Sequence, residues 1–287
     1  MATSEAAGKI GVTDANTGMH SGTASGKVSS AVTIRKCDAL ADMQACFALQ
    51  KEVWKFSDAD LVPVRMFVVA AKIGGQVVGA FVEKNDASGS AQELIGFALA
   101  IPGIRHGHAY LHSQMLAVRP QYRNDGLGRR LKLHQREDAL ARGFELMEWT
   151  FDPLEIKNAY LNIEKLGAIA RRYNVNQYGI SSSPMQGGLP TDRLIAEWWM
   201  KSRRVETVLA DAPRAKFECR ARIDVPAEIY EWKASAITRA QALAVQERNR
   251  ERFQRAFADG LSVLGYERDA RGDGRFLLGE WDEGWRY

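Results

Sequence analysis

A strand, a glycine-rich turn and a helix follow one another near the middle of the chain, and this succession constrains the fold more than any other feature. The bulky apolar residues of Tyr110 to Val118 predict a strand. Arg119-Pro120 ends it, because proline lacks the backbone N–H that a sheet needs. Gly126-Leu127-Gly128 then opens a helix that we expect to run to about Gly143. The sequence therefore predicts an α/β unit in which a strand feeds a helix.

The glycine turn has the chemistry of an anion site. The first amides of a helix lack intrahelical acceptors, and the helix dipole adds positive charge at the same end. Glycine lets an anion approach the backbone, because no Cβ stands in the way. The turn lacks the Gly-Lys-Ser/Thr of a P-loop and the third glycine of a dinucleotide fingerprint. From these residues alone, a pyrophosphate site and an ordinary tight turn both stay open.

The wider context resembles the GNAT (Gcn5-related N-acetyltransferase) superfamily. Residues 123–128, Arg-Asn-Asp-Gly-Leu-Gly, resemble its Arg/Gln-x-x-Gly-x-Gly/Ala motif. The strand from Glu145 to Phe151 and the helix from Asn158 to Gly167 follow in the family's order and spacing. The resemblance covers about residues 32–201. It implies an α/β fold with a mixed central sheet flanked by helices, and acetyl-CoA or another acyl-CoA as cofactor.

The resemblance also implies where the cofactor binds. In the family the central strand and the next one splay apart, and the pantetheine arm pairs with the free strand edge. The backbone N–H of Leu116 or Ala117 would polarise the thioester carbonyl. Asp125 would weaken phosphate binding if it faced inward. The expected cofactor-binding residues are Leu116, Ala117, Val118, Arg123, Asn124, Asp125, Gly126, Leu127, Gly128, Arg129 and Asn158.

One departure from the family pattern concerns the general acid. The family often places a tyrosine four residues before the closing glycine, where this chain has Ile163. Isoleucine cannot protonate a leaving thiolate. The candidate catalytic residues are therefore Asp152, His112 and Tyr160, with solvent as the alternative proton donor. The alternative function is a CoA-binding regulatory protein with weak catalysis.

Composition and charge bound the remaining classes of function. A net charge of +4 suits a polyanionic cofactor but is too small to indicate nucleic-acid binding. The three cysteines fit no metal spacing, so we expect free thiols and no metal. No segment is apolar enough for a bilayer, and residues 1–30 lack the apolar run of a signal peptide. We expect a cytoplasmic protein with an amine or other small-molecule acceptor, no nucleic-acid partner and no membrane partner; a homodimer stays open.

We expect three regions along the chain. The composition indicates a disordered tail over residues 1–30. The resemblance implies a GNAT-like domain over 31–201, and a C-terminal extension over 202–287 follows it. The extension has a β-α-β-β pattern, with predicted elements at Phe217 to Ile223, Pro226 to about Gly260, Leu261 to Glu267 and Arg275 to Trp281. It has no hydrophobic run large enough for a core of its own. We therefore expect it to dock on the acyltransferase sheet.

The remaining elements are predicted from periodicity and punctuation. Asp38 is the expected cap of a helix that runs to about Trp54. Pro63 begins a second helix that Gly74-Gly75 ends, and a strand with a Gly-Gly hairpin is the competing prediction. The predicted further strands are Val32 to Arg35, Gln76 to Glu83, Glu93 to Ile101, Gly167 to Tyr178 and Thr191 to Met200.

Overall fold

The computed structural model describes residues 32–86, 89–179 and 181–285. These residues fall within one compact unit, Ala31–Tyr287. The predicted tail over residues 1–30 lies outside the described residues. None of the described helices has both the length and the apolar character to cross a membrane.

The described ranges contain ten strands and seven α-helices. In chain order they are β1 (Thr33–Lys36), α1 (Leu40–Trp54), α2 (Val64–Lys72), β2 (Gln76–Asp86), β3 (Gly89–Arg105), β4 (His108–Val118), α3 (Leu127–Ala141), β5 (Leu146–Phe151), α4 (Ile156–Tyr160), β6 (Ile169–Asn174), β7 (Arg193–Trp199), α5 (Arg203–Leu209), β8 (Ala221–Val225), α6 (Ile229–Ala234), α7 (Arg239–Ala258), β9 (Leu261–Arg268) and β10 (Gly274–Glu280).

All ten strands belong to one mixed sheet in the order β1-β2-β3-β4-β5-β7-β6-β9-β10-β8. Neighbouring strands are antiparallel except β4 and β5, which are parallel. The predicted α/β fold with a mixed central sheet flanked by helices is confirmed. The strands of the C-terminal extension lengthen this same sheet beyond β6.

Helices cover the two faces of the sheet differently. Met115 and Ala117 of β4 pack in a cluster with buried residues of α1 and α2. Leu116 and Val118 pack on the other face, against Leu127 and Leu131 of α3. We call these the α1 face and the α3 face. Side chains of α4 and α7 join the largest cluster, which lies on the α3 face.

Residues on both sides of position 201 share that largest cluster. Phe151 of β5 and Leu194 of β7 lie in it together with Phe253, Val263 and Phe276 of the extension. These five side chains are at most 2% exposed. The extension therefore buries its apolar residues against the strands that precede it rather than in a core of its own.

The predicted long helix from Pro226 to Gly260 is wrong, because the chain breaks into α6 and α7. Ser235 ends α6 with extended backbone, φ −111° and ψ 130°. Its hydroxyl accepts a hydrogen bond from Ile237 N at 3.2 Å. A serine that binds nearby backbone in this way competes with helix continuation. Ile237 is 93% exposed, so no packing favours a continuous helix here.

Smaller differences concern element ends. Asp38 does not cap α1, since Ala39 occupies the cap position and no side chain bonds there. The helix predicted after Pro63 is confirmed as α2, so the competing strand is wrong. α5 was not predicted; Ser202 caps it by accepting from Val205 N at 3.3 Å. β8 begins four residues later than the predicted strand at Phe217.

Candidate active site

β4 and β5 run side by side only where they begin. Leu111 pairs with Met147 and His112 with Glu148, and the register includes no later pair. β4 nevertheless continues to Val118. The two strands therefore part after His112, as the resemblance implies, and leave a space that we call the β4–β5 gap.

A bulge in β4 lies at the start of this gap. Leu99 of β3 pairs with Met115, whereas the next residue, Ala100, pairs with Ser113. Gln114 is thus the extra residue of the bulge. It is exposed although β4 lies in the interior of a ten-stranded sheet. The gap is therefore open at this point.

The direction of the β4 amides decides which N–H faces the gap. Arg119 N donates to Ile95 O of β3 at 2.9 Å. Backbone N–H groups alternate in direction along a strand. Ala117, two residues earlier, therefore points its N–H toward β3, while Leu116 and Val118 point theirs toward the gap. Of the two amides that the resemblance offered for the oxyanion, Leu116 has the required direction.

The glycine turn has the backbone geometry of an anion cradle. Asn124 and Gly126 both have positive φ, 70° and 75°. The first bond into α3 runs from Arg130 N to Gly126 O at 3.0 Å, so the amides of residues 127–129 have no acceptor within the helix. A Cβ built on Gly126 meets no atom within 4 Å. The space beside Gly126 is therefore free for an anion that a side chain would displace.

The other residues predicted for the cofactor lie around this turn. Arg123 Nε donates to Val118 O at 2.9 Å, and Arg129 Nε donates to Lys165 O at 3.2 Å. Asp125 is exposed, so it does not intrude into the core of the turn. Asn158 is exposed on α4 and free to contact a ligand from that helix.

α4 passes without interruption into a π-helical turn, Leu161–Lys165. Such turns are rare in proteins overall, but those that occur are often at functional sites. Leu161 Cδ2 lies 4.0 Å from the Cβ position of Gly128, so this turn borders the anion cradle. Ile163 is fully buried, and the position of the family's tyrosine is therefore part of the core in this chain.

Asp152 is held in a buried ion pair. Its Oδ2 lies 2.8 Å from Lys233 Nζ of α6, and its Oδ1 accepts from Leu154 N at 2.8 Å. Lys233 also contacts Glu155 Oε1 at 2.9 Å. Burial alone would lower the pKa of Lys233, but the two carboxylates raise it. Both oxygens of Asp152 are thus engaged, and Oδ2 attaches α6 to the end of β5.

Tyr160 lies away from the gap. Its half-buried ring has Lys165 Nζ at 5.6 Å and Arg268 of β9 at 5.8 Å from the centroid. β9 is three positions from β5 in the sheet order, on the side opposite to β4. The structure therefore does not bring Tyr160, Asp152 and His112 together, and only His112 lies at the gap.

His112 occupies the apex of the gap on the α1 face, because the side chain of its neighbour Ser113 points to α3. Burial lowers the pKa of His112; Lys132 and Arg172 lower it further, while Glu148 opposes them. The imidazole is therefore neutral at neutral pH. A neutral imidazole at this place can accept a proton from an incoming nucleophile.

A row of charges crosses the α1 face beside His112. Glu148 of β5 pairs directly with Glu197 of β7, an unfavourable placement for like charges. Arg172 contacts both carboxylates. Arg105 contacts Glu148 at 2.6 Å, and Arg171 contacts Glu197 at 2.7 Å. We call these five residues the charge row.

A second β-bulge makes the charge row compatible with β6. The β6–β7 register shifts between Ala170 and Tyr173. An extra residue in a strand lets consecutive side chains reach one face. Arg171 and Arg172 can therefore both approach Glu197. Burial would raise the pKa of Glu197, but these arginines hold it below its usual value.

Lys132 is a polar residue at the gap that was not predicted. It is fully buried on α3; its Nζ donates to Ser113 Oγ at 2.6 Å and lies 3.8 Å from the Trp149 ring centroid. Burial lowers its pKa well below the ordinary value. Lys132 follows Gly128 by four residues and precedes Gln135 by three, so helical spacing could have placed it in the sheet-facing row.

Comparison with known proteins agrees with this geometry. Residues 38–160 match the family model described as the acetyltransferase (GNAT) family. A search of curated proteins gives no match. No group of His, Cys, Asp or Glu in the described ranges could hold a metal ion.

Three solved structures are among those to which the chain is similar. YncA of Salmonella typhimurium, solved with acetyl-CoA, is 18% identical, with 65% of this chain and 100% of that chain covered and a TM-score of 0.46. The ribosomal-protein-S18-alanine N-acetyltransferase of Escherichia coli is 17% identical over 60% and 97%, with a TM-score of 0.44. Arabidopsis thaliana NAA60, solved with a bisubstrate analogue, is 14% identical over 59% and 99%, with a TM-score of 0.46.

The family match spans the elements that form the site, from α1 through the glycine turn to α4. It therefore agrees with the parted strands and the anion cradle described above. Over residues 38–160 this chain matches the acetyltransferase (GNAT) family, and this match supports an N-acetyltransferase-like enzyme.

Proposed function

We propose that this protein transfers an acetyl group from acetyl-CoA directly to an amine. The observation that carries the proposal is the β4–β5 gap, which has the N–H of Leu116 on its edge and His112 at its apex. The glycine turn opens beside the same strand, so anion binding and acyl activation are adjacent.

The chain's own residues fit this cofactor. The amides of residues 127–129 and the open space beside Gly126 would hold a pyrophosphate. The free edge of β4 would pair with the amides of the pantetheine arm, and Asn158 would contact the arm from α4. Acetyl-CoA supplies an activated acyl carbon when bound.

Two groups then assist the transfer. The neutral imidazole of His112 accepts a proton from the amine, which must be uncharged to attack. The N–H of Leu116 donates a hydrogen bond to the acyl oxygen, where negative charge develops. Asp152 and Tyr160 are occupied elsewhere, so we assign protonation of the leaving thiolate to solvent.

A second candidate function is supported by Ile163. This residue is fully buried where the family often has the acid. A protein that binds acyl-CoA and turns it over weakly, as a regulator, would tolerate this replacement.

A matched pair of variants tests the cofactor site. Gly126 and Gly143 lie before and after α3, have similar positive φ of 75° and 84°, and are both free of neighbours within 4 Å. Gly126→Ala and Gly143→Ala should therefore carry similar backbone strain. Only Gly126→Ala should weaken acetyl-CoA binding in calorimetry, because only its Cβ enters the cradle.

Free-thiol release with a panel of amines separates the two functions. Release that requires both acetyl-CoA and an amine supports the transferase. Tight acetyl-CoA binding without release for any amine supports the regulator. Equal affinity of the two glycine variants contradicts the placement of the cofactor.

A further inference from the structure

Two connections are joined on the α1 face. They are residues 57–60, between α1 and α2, and residues 181–183, between β6 and β7; we call them together the strap. Ser57 N donates to Ser182 Oγ at 2.9 Å, and Ser182 N donates to Asp60 Oδ2 at 3.0 Å. Ser183 Oγ donates to Trp54 O at 2.8 Å, where α1 ends. These bonds link segments about half the chain apart in sequence.

The strap is attached on both sides of the β4–β5 gap. On the β4 side, the Trp54 ring meets Phe97 of β3 edge-on at 6.4 Å between centroids. On the β5 side, the hydroxyl groups of Tyr178 and Thr150 lie 3.0 Å apart. The strap therefore spans the gap on the face where an acceptor would approach His112. The strap therefore restricts the approach of an acceptor to His112 on this face.

Strand alternation places a further cation on this face. Leu194, Ala196 and Trp198 of β7 belong to the cluster on the α3 face. Arg193 and Ile195 therefore point to the α1 face, as Glu197 does. Thr150 pairs with Ile195, so Arg193 lies near the end of the gap where β4 and β5 are furthest apart.

The positive charge of Arg193 is not balanced by an acid. Its NH1 donates to Asp192 O at 2.8 Å and its NH2 to Gln186 Oε1 at 3.1 Å, both neutral acceptors. The Asp192 carboxylate is instead engaged by Arg250 at 2.8 Å and by Tyr173 at 2.7 Å. No ion pair of Arg193 occurs among the described residues.

Arg193 is also oriented toward solvent-accessible aromatic surface. Its guanidinium carbon lies 5.6 Å from the centroid of the Tyr178 ring, and Tyr178 is 49% exposed. The charge row adds further positive charge, since its three arginines outnumber its two glutamates. The charge row and Arg193 therefore each contribute net positive charge to this face, against the Asp60 carboxylate of the strap.

We propose that the acceptor is a small amine that carries a carboxylate, which Arg193 binds with the Tyr178 hydroxyl beside it. A guanidinium forms paired, charge-assisted hydrogen bonds with a carboxylate. The amine then extends from Arg193 into the gap. This inference rests on the proposed acetyl transfer and names the acceptor class for that same site.

Matched acceptors test the inference. Glycine, β-alanine and 4-aminobenzoate would each be compared with its own carboxamide, which keeps the amine and removes the charge. Thiol release and binding to the CoA-loaded protein are measured for each pair. We expect at least one carboxylate to be favoured by about tenfold to a hundredfold over its amide, the range of a charged hydrogen bond.

Variants assign the preference to one residue. Arg193→Gln should raise the KM for the favoured carboxylate by a similar factor while kcat, the KM of the amide and the affinity for acetyl-CoA stay unchanged. Arg193→Lys should restore part of the loss. The control Arg252→Gln, at an exposed position on α7, should change nothing.

The outcomes separate this inference from the proposed function. Equal use and equal binding of every carboxylate and its amide would overturn the inference, and so would a preference that Arg193→Gln leaves intact. Carboxylate-selective binding that depends on Arg193, without thiol release, would support the acceptor site and overturn the transferase.

Discussion

Lys132 offers the sharpest physical test of the site, because it is a buried amine without a carboxylate partner among its described contacts. Burial lowers its pKa well below the ordinary value, so the folded protein gives up this proton at a lower pH than the unfolded chain does. In the unfolded chain a lysine keeps its proton up to about pH 10.4. At a pH between the folded and the unfolded pKa of Lys132, unfolding therefore takes up one proton. Rising pH disfavours that uptake, and the cost of burying Lys132 fades as pH increases.

The expected effect is a dependence of the free energy of unfolding on pH. One proton taken up on unfolding changes the free energy of unfolding by about 1.4 kcal/mol per pH unit. Lys132→Met removes this dependence. The stability of the variant relative to the unaltered protein should thus fall between about pH 8 and about pH 9.5, by up to about 2 kcal/mol. Loss of the hydrogen bond to Ser113 shifts the difference by a constant and leaves the slope unchanged.

Urea unfolding of three proteins at both pH values measures this slope. Lys72→Met is the control, since Lys72 is exposed at the end of α2. Its stability relative to the unaltered protein should not depend on pH. A difference between Lys132→Met and the unaltered protein that is flat across the same range would mean that Lys132 stays charged when folded. The reasoning from burial would then be refuted.

Further changes are expected to act on chemistry and stability separately. His112→Gln should lower kcat/KM by about a hundredfold without weakening acetyl-CoA binding. In the unaltered protein, thiol release should decline only below about pH 6.5, because burial lowers the pKa of His112. Lys233→Met should destabilise the fold by about 3 kcal/mol, since it leaves Asp152 and Glu155 without their cation; unchanged urea unfolding would contradict this. Deleting residues 216–287 should give insoluble or molten protein, and a soluble truncation of unchanged thermal stability would disprove a shared core.

Local chemistry made the elements around the cofactor site predictable. The strand predicted to end at Val118 does end there, because Arg119-Pro120 cannot continue a ladder. The helix predicted to open at the glycine turn begins at Leu127, where Gly126 adopts the positive φ that glycine favours. These outcomes depend on a few neighbouring residues, so the sequence alone determined them.

The absence of the family's acid could also be read directly, since Ile163 has no proton to give. The break between α6 and α7 could not, because the hydroxyl of Ser235 competes with the helix only in one backbone geometry. The exposure of Gln114 likewise depends on a register shift between β3 and β4, which no local sequence pattern predicts.

The tertiary structure alone decided what each polar side chain of the site does. The sequence places Asp152 directly after β5, at the mouth of the gap, but its partner Lys233 lies 81 residues further along the chain. Arg193 stays without an acid because Arg250, also distant in sequence, occupies Asp192. The physical reason is that a charge acts through space, over a few ångströms, and not along the chain. Sequence supplies the charges, and only packing of the sheet and helices decides which of them meet.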